Sequence, residues 1–130
     1  AVSVPPFLDA PVALIWDAAT STMLCRLLGH TGAILAGRVF HAGNRVLTAS
    51  MDGTAVVWEL RTCSEVRRFI HPGGVTEAAV LDDGAIVATI AETCGLTFWC
   101  VFSGEGRRLN VAADSGRLVP IPGGKLVAVW

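Results

Sequence analysis

Three residues of the types that serine hydrolases use, Ser50, His30 and Asp52, lie close together in the sequence. A hydroxyl, an imidazole and a carboxylate in one hydrogen-bonded line would make the hydroxyl a nucleophile. However, Ser50 is not flanked by the glycines of a Gly-x-Ser-x-Gly turn, which presents the nucleophile in many hydrolases. These residue types therefore need support from their wider context before they indicate catalysis.

The cysteines do not form a metal-binding pattern. Cys25, Cys63, Cys94 and Cys100 are 38, 31 and 6 residues apart, with no Cys-x-x-Cys pair and no histidine at zinc-finger spacing. We expect reduced thiols that pack as small apolar side chains, and a disulfide or a metal site is the alternative.

Paired charges give no better evidence for a ligand. Arg67-Arg68 and Arg107-Arg108 could contact phosphate, but basic residues at this spacing also protect the exposed outer strands of successive sheets. The segment Asp82-Asp83-Gly84 supplies too few oxygen ligands for calcium and is typical of a turn. We predict no metal and no cofactor.

The overall composition limits the classes of partner. Hydrophobic residues make up 52% of the chain, charged residues 16%, and the net charge is −1. This excludes a highly charged disordered chain and leaves no strong field for nucleic acid or an anionic membrane. No apolar run reaches the roughly 18 residues of a spanning helix, and the N-terminus lacks a signal-peptide pattern. We expect an intracellular protein, cytoplasmic or nuclear.

A repeat of about 41 residues organises the chain. Four kinds of marker return at steps of 40 to 42 residues: glycines that close a turn, tryptophans, histidines and arginines. The members are Gly43, Gly84 and Gly124; Trp16, Trp58 and Trp99; His30 and His71; and Arg26, Arg67 and Arg107.

Each period contains four apolar stretches of five to seven residues, separated by clusters of Gly, Asp, Asn, Ser and Pro. Such stretches predict short antiparallel strands, and no segment has a helical period of useful length. Four strands in about 41 residues is the size of one blade of a β-propeller. The sequence therefore predicts an all-β fold of antiparallel four-stranded blades.

The segment from Gly29 to Leu60 resembles the WD-repeat family. It begins with Gly29-His30, carries Asp52-Gly53-Thr54 in a tight turn, and ends with Ala55-Val-Val-Trp-Glu-Leu60, in which Glu59 stands where the family usually has Asp. An earlier Trp16-Asp17 matches the family's Trp-Asp pair. The resemblance covers nearly the whole chain.

This resemblance implies a structural hydrogen-bond network in the blade. His30 would contact Asp52, and Ser50 (or Thr48) would lie between His30 and Trp58. Because the network accounts for the hydrolase-like residues together with Trp58, we predict that they are structural and that the chain is not an enzyme.

The next blade departs from the pattern. It keeps His71 and Trp99, but Thr93 stands in the position of Asp52 and Ala91 in that of Ser50, and Val111 is near the histidine position of the last blade. We expect these later blades to depend more on apolar packing than on the polar network.

The predicted organisation is an incomplete ring. Residues 1–28 would form a half blade of last strands, 29–70 a WD-repeat blade, 71–111 a degenerate blade, and 112–130 a half blade of first strands in which Trp130 aligns with Ile90. Propellers close with about four to eight blades. The rest of a longer chain, or partner subunits, would complete the ring.

We therefore expect a protein–protein interaction scaffold, a part of a larger WD-repeat propeller, that binds other proteins or peptides but neither nucleic acid nor membrane. The resemblance places a candidate partner-facing surface at Met51, Glu77 and Glu92. One alternative is a regulatory or ligand-sensing module attached to an enzyme or NTPase. Another is a propeller enzyme with a channel site, for which only His30 and His71 recur.

Overall fold

The computed structural model describes residues 11–40, 44–92, 95–109, 117–121 and 125–129. Thr93, Cys94, Val111 and Trp130 lie outside them, as do the ends of both predicted half blades. The described strands are β1 (Ala13–Asp17), β2 (Thr22–Leu27), β3 (Ile34–Phe40), β4 (Arg45–Ser50), β5 (Thr54–Glu59), β6 (Ser64–Ile70), β7 (Val75–Leu81), β8 (Ile86–Ala91), β9 (Gly95–Cys100), β10 (Gly106–Arg108), β11 (Arg117–Ile121) and β12 (Lys125–Val129). A single 3-10 turn, Asp82–Gly84, joins β7 to β8.

The strands form four antiparallel sheets in chain order. Sheet 1 is β1–β2, sheet 2 is β3–β4–β5–β6, sheet 3 is β7–β8–β9–β10, and sheet 4 is β11–β12. Within each sheet, neighbouring strands are consecutive along the chain, so the connections inside a sheet are short. The prediction of an all-β chain with antiparallel four-stranded sheets is confirmed. The sheets do not close into a ring, and their arrangement is compatible with a propeller-like fold.

The repeat seen in the sequence is also a repeat of strand register. Val46 pairs with Trp58 in sheet 2, and Val87 pairs with Trp99 in sheet 3. Sheet 4 differs in the spacing of its paired strands. Ile121 pairs with Lys125, so the chain between them is one residue shorter than the chain between Phe40 and Arg45.

This difference in spacing corrects the sequence alignment within the described part of the last segment. Lys125 takes the structural position of Arg45 and Ile86, and not that of Ala85. Trp130 lies outside the described residues, so its predicted alignment with Ile90 stays a prediction.

Successive sheets pack face to face through three apolar clusters. Sheets 1 and 2 share Cys25, Leu27, Val46, Val56 and Trp58. Sheets 2 and 3 share the largest cluster, which includes Leu47, Val57, Phe69, Ala78 and Val87. Sheets 3 and 4 share Ala79, Leu81, Ala88, Ile90 and Leu118. Every sheet but the first and the last therefore has an apolar partner on both faces.

This two-sided packing explains the hydropathy of the middle strands. In β4, β5 and β8, five of six residues in succession are buried, so apolar residues run on without alternation. By contrast, β6 lies at an outer edge and is largely exposed over Ser64–Val66. Its basic residues suit an edge strand, because charge there discourages pairing with another chain.

A disulfide joins Cys25 of β2 to Cys63 in the turn after β5, with their Cα atoms 5.5 Å apart. The expectation of reduced thiols is therefore wrong for this pair, while Cys100 is free and partly buried. The two cysteines are 38 residues apart in sequence and meet only because sheet 1 packs on sheet 2. Spacing alone could not show this.

We predict that Cys25→Ser/Cys63→Ser lowers the free energy of unfolding by about 3 kcal/mol, because the bond restricts the unfolded chain. Denaturant titration under non-reducing conditions measures the loss. Cys100→Ser is the matched control and should change stability by less than about 1 kcal/mol, since it removes no cross-link. Free thiols at both Cys25 and Cys63 in the native wild-type protein would contradict the assignment of the disulfide.

Candidate functional site

A buried chain of hydrogen bonds links the loop before β3 to the interior of sheet 2. His30 Nε2 lies 2.6 Å from Thr48 Oγ1, and Trp58 Nε1 donates to the same oxygen over 2.9 Å. His30 Nδ1 lies 2.9 Å from Asp52 Oδ2. His30, Thr48 and Trp58 are each at most 2% exposed, so water cannot satisfy these groups.

The chemistry of the two end groups, the Asp52 carboxylate and the Trp58 indole, identifies the donors in this series of hydrogen bonds. A carboxylate only accepts and an indole N–H only donates, so His30 Nδ1 donates to Asp52 and Trp58 donates to Thr48. In a neutral imidazole, the Thr48 hydroxyl then donates to His30 Nε2. Each polar group has a partner, and the histidine is held as one tautomer.

Asp52 is anchored by the turn that contains it. Its carboxylate accepts the backbone N–H groups of Thr31 and Thr54, over 2.9 Å and 2.8 Å, and the Thr54 hydroxyl over 2.5 Å. Burial on its own would raise the pKa of Asp52, but the hydrogen bonds from Thr54, Thr31 and His30 outweigh it and hold that pKa well below its ordinary value. Asp52 is therefore a fixed anion at neutral pH.

Ser50 does not take the bridging position. Its hydroxyl donates to the Gly32 carbonyl over 2.9 Å and accepts the Asp52 backbone N–H over 3.1 Å. It thus joins the β4–β5 turn to the loop before β3. Thr48, the alternative that the sequence left open, lies between His30 and Trp58.

The geometry gives no hydrolase-like triad here. Ser50 Oγ donates to a backbone carbonyl and not to His30, and both side chains are buried. A nucleophile must be aligned with its base and open to substrate. Neither condition is met at these residues.

Sheet 3 repeats the central part of the network. His71 Nε2 lies 2.9 Å from Thr89 Oγ1, and Trp99 Nε1 donates to the same oxygen over 2.9 Å. Thr89 follows Thr48 by one repeat, so the recurrence is visible in the sequence, although the predicted network did not extend to it. The expectation that this sheet depends more on apolar packing than on the polar network stays a prediction.

A backbone carbonyl replaces the carboxylate in sheet 3. His71 Nδ1 donates to Gly53 O over 3.3 Å, and the His71 backbone N–H donates to the same atom over 2.7 Å. Gly53 has φ +91°, and a Cβ there would lie 2.8 Å from His71 O, so the turn requires glycine. Burial lowers the pKa of His71, although bonds to the Gly53 and Phe69 carbonyls oppose the shift. The neutral imidazole is favoured.

The three candidate partner-facing residues have different surroundings. Met51 and Glu92 lie in the turns after β4 and β8, at the same end of sheets 2 and 3, and both are exposed, Met51 by 44%. Glu77 lies on β7 and is ion-paired with Arg38 of β3 over 2.8 Å, with only 12% of its side chain exposed. Met51 and Glu92 thus lie at the same end of their sheets, whereas Glu77 joins sheet 3 to sheet 2 through its ion pair with Arg38.

A cavity of about 210 Å³ beside Trp99 was not expected from the sequence. Gly106 pairs with Trp99, whereas Glu65 pairs with Trp58 in sheet 2. Glu65 there holds Arg68 over 2.7 Å, and Arg68 also reaches the Gly29 carbonyl. A Cβ at Gly106 would lie 2.6 Å from the Trp99 ring, so the ring occupies the space next to this residue and the strand requires glycine there. The lining residues are Ile70, His71, Pro72, Thr97, Trp99, Gly106 and Arg108.

Comparisons with known proteins add no family. No protein-family model matches the chain, and no curated protein is similar enough in sequence to count as a relative. Within the described ranges, no group of three or more His, Cys, Asp or Glu side chains is placed to hold a metal ion. No helix of the described part is long and apolar enough to cross a membrane.

We predict that Thr48→Val lowers the free energy of unfolding by about 2 to 4 kcal/mol. The change keeps the shape of the side chain but leaves two buried groups, the Trp58 N–H and His30 Nε2, without a partner, at about 1–3 kcal/mol each. Chemical denaturation provides the measurement. Thr22→Val, at an exposed threonine of β2, is the control and should stay within about 0.5 kcal/mol of wild type. Equal stability of the two variants would show that the network is not needed.

We predict that the folded state loses stability as the pH falls from about 7.5 to 5.5. Unfolded His71 binds a proton near its ordinary pKa of about 6.5, whereas the folded protein, with a lowered pKa, does not, so protons favour unfolding. His71→Gln should reduce this slope, which is at most about 1.4 kcal/mol per pH unit for one group.

Asp52→Asn is the matched comparison for the pH experiment. The lowered pKa of Asp52 contributes stability that is present at neutral pH and is lost only below about pH 4, where the unfolded carboxyl binds its proton. This variant should therefore keep the slope between pH 7.5 and 5.5. If Asp52→Asn reduced the change of stability with pH and His71→Gln did not, the assignment of this pH dependence to His71 would be wrong.

Proposed function

We propose that this chain is part of a WD-repeat propeller that acts as a protein–protein interaction scaffold. The observation that carries the proposal is the recurrence of the His–Thr–Trp network at Thr48 and Thr89 in two successive four-stranded sheets. Because of this recurrence, sheet 3 shares part of the network of the Gly29–Leu60 segment, although its sequence departs from the family pattern. The assignment of function from this architecture is by analogy, since a fold does not fix a function.

The distribution of polar groups supports binding over catalysis. The buried polar side chains of sheets 2 and 3 are engaged with one another, while the turns that carry Met51 and Glu92 present a thioether and a carboxylate at the sheet ends. Turn residues on a rigid scaffold are well placed to contact a partner without disturbing the core. The expected ligands are therefore proteins or peptides, and neither nucleic acid nor a membrane.

The compartment stays a prediction, namely the cytoplasm or the nucleus. The Cys25–Cys63 disulfide argues for an oxidising environment, because these two compartments keep most thiols reduced. Alkylation of free thiols in intact cells distinguishes the two cases. If Cys25 and Cys63 are oxidised in the cell, the prediction of the cytoplasm or the nucleus is wrong and the protein belongs to an oxidising compartment.

A second candidate function is a ligand-sensing module attached to an enzyme, and the cavity beside Trp99 favours it. The indole and Ile70 give the cavity an apolar wall. A ligand should then shift the Trp99 indole resonance but not that of Trp58, which lies in the sheet without such a cavity.

We predict that proteins captured by the wild-type chain are lost on Met51→Asp/Glu92→Lys and retained on Leu24→Asp. Leu24 is also exposed, by 58%, but it lies on β2 and away from these turns. Quantitative mass spectrometry of cross-linked complexes measures the retained set, and circular dichroism verifies that both variants fold. Identical sets for all three proteins, or no stable partner for the wild type, would contradict the scaffold proposal.

A further inference from the structure

The cavity beside Trp99 is open to solvent on one side and buried on the other. Ile70 lines it and is 72% exposed, so it lies where the cavity opens. His71 and Thr97 also line it, but they are only 6% and 5% exposed and form its floor. A molecule from solution can therefore enter beside Ile70 and reach two buried side chains.

Thr97 is the one buried polar residue whose side chain has no hydrogen bond to another residue of the described ranges. The other buried polar side chains there all form such bonds, and they are His30, Thr48, Ser50, Thr54, His71 and Thr89. Yet no fully enclosed side-chain nitrogen or oxygen of the described part lacks a partner. The Thr97 hydroxyl is therefore not enclosed, and it opens on the cavity that Thr97 lines.

The same position in sheet 2 shows that the strand does not need this hydroxyl. Thr48 pairs with Val56 and Thr89 pairs with Thr97, so Val56 is the structural equivalent of Thr97. Val56 is fully buried in the apolar cluster of sheets 1 and 2. An apolar side chain thus fits this position, and the hydroxyl of Thr97 is free to serve a ligand.

The other polar side chains around the cavity are already engaged. Trp99 Nε1 donates to Thr89 Oγ1, His71 Nε2 lies 2.9 Å from the same oxygen, and His71 Nδ1 donates to the Gly53 carbonyl. Arg108 also has an interaction with another group. Within the described ranges, the Thr97 hydroxyl is therefore the lining side-chain group that remains for a hydrogen bond. A ligand here needs one polar group and no charge.

The walls of the cavity suit a flat apolar ring. The rings of His71 and Trp99 have their centroids 5.0 Å apart and their planes at 73°, so they form two sides of a corner. An aromatic ring in such a corner can contact one wall with its face and the other with its edge, and both arrangements are favourable. The volume of about 210 Å³ exceeds the roughly 150 Å³ of a cavity that holds one benzene. There is room for one ring and a small substituent.

We propose that the cavity beside Trp99 binds a small uncharged aromatic molecule whose single polar substituent, a hydroxyl or a carbonyl, hydrogen-bonds to the Thr97 hydroxyl. Either substituent fits, because a threonine hydroxyl both donates and accepts. The inference rests on the second candidate function, the ligand-sensing module, and describes its ligand. It does not depend on the scaffold role.

The first test compares two probes that differ in one hydroxyl, p-cresol and toluene, added to the full 130-residue chain. In NMR spectra, p-cresol should shift the Trp99 indole N–H and the Thr97 amide but leave the Trp58 indole unchanged. Toluene should bind about three- to tenfold more weakly, because it cannot form the hydrogen bond. No shift with p-cresol, or equal shifts at Trp58 and Trp99, would overturn the proposal.

Thr97→Val tests the hydroxyl itself. The variant should bind p-cresol no better than toluene and should keep the denaturation midpoint of the wild type, because the hydroxyl has no bond to lose among the described residues and Val56 occupies the equivalent position. Thr22→Val, at an exposed threonine of β2, should keep the preference for p-cresol. A preference that survives in Thr97→Val would show that the hydroxyl does not contact the ligand.

Ile70→Asp tests the opening of the cavity and needs no buried substitution. A carboxylate in place of the apolar wall should weaken the binding of both probes, whereas Val66→Asp should not, since Val66 is an exposed residue of the same strand that does not line the cavity. Circular dichroism verifies that both variants fold. Equal affinities in Ile70→Asp and Val66→Asp would place the probes elsewhere.

Two further probes test the class of ligand. Benzoate should bind more weakly than p-cresol, and tighter binding of benzoate would show that the site takes an anion instead. N-acetyltyrosine amide carries the same phenol on a peptide backbone, and tighter binding of this probe than of p-cresol would assign the cavity to a partner's side chain in place of a free small molecule.

The failure of this inference is distinguishable from that of either proposed function. Met51→Asp/Glu92→Lys should bind p-cresol as the wild type does, even where it loses captured proteins. Binding of p-cresol at Trp99 that leaves the set of captured proteins unchanged would confirm the site and contradict a sensing role. Loss of p-cresol binding in Met51→Asp/Glu92→Lys would contradict the assignment of the site to this cavity.

Discussion

The Trp58 indole N–H, buried between sheets 1 and 2, sets the constraint on which much of the structure depends. A donor without access to water must find an acceptor, and the only way to bury so large an aromatic surface is to supply one. Thr48 does so from the neighbouring strand, and its hydroxyl is also hydrogen-bonded to His30 Nε2. Because the histidine lies in the loop before β3, this single requirement fixes the loop, two strands and the turn of Asp52 relative to one another.

The same constraint is met differently in sheet 3, and the difference shows which part is essential. Thr89 again serves both the tryptophan and the histidine, so the hydroxyl bridge is kept. The carboxylate is not kept, and the Gly53 carbonyl of the preceding sheet receives the outer nitrogen of His71. A neutral acceptor suffices because it has only to orient a neutral imidazole. The substitution also ties His71 to sheet 2, so that the network joins neighbouring sheets.

The sequence predicted the elements well, because they depend on local pattern and on a period carried by several residue types at once. It also placed His30, Asp52 and Trp58 in one network. It could not decide between Ser50 and Thr48, since the two lie two residues apart on the same face of β4 and only the register with β5 shows which hydroxyl is close enough to Trp58. The disulfide of Cys25 and Cys63 was missed because it depends on contact between sheets.

The cavity beside Trp99 and the exposed residues beside sheet 1 both lie where one sheet lacks a contact that another sheet has. Gly106 lacks the side chain that Glu65 contributes in sheet 2, and an opening lies beside Trp99. Sheet 1 lacks inner strands among the described residues, and Leu35 and Val39 are exposed beside it. In a structure whose sheets are similar, a contact that is filled in one sheet indicates what is missing in the next. Comparing one sheet with its neighbour therefore shows where a repeated contact is absent.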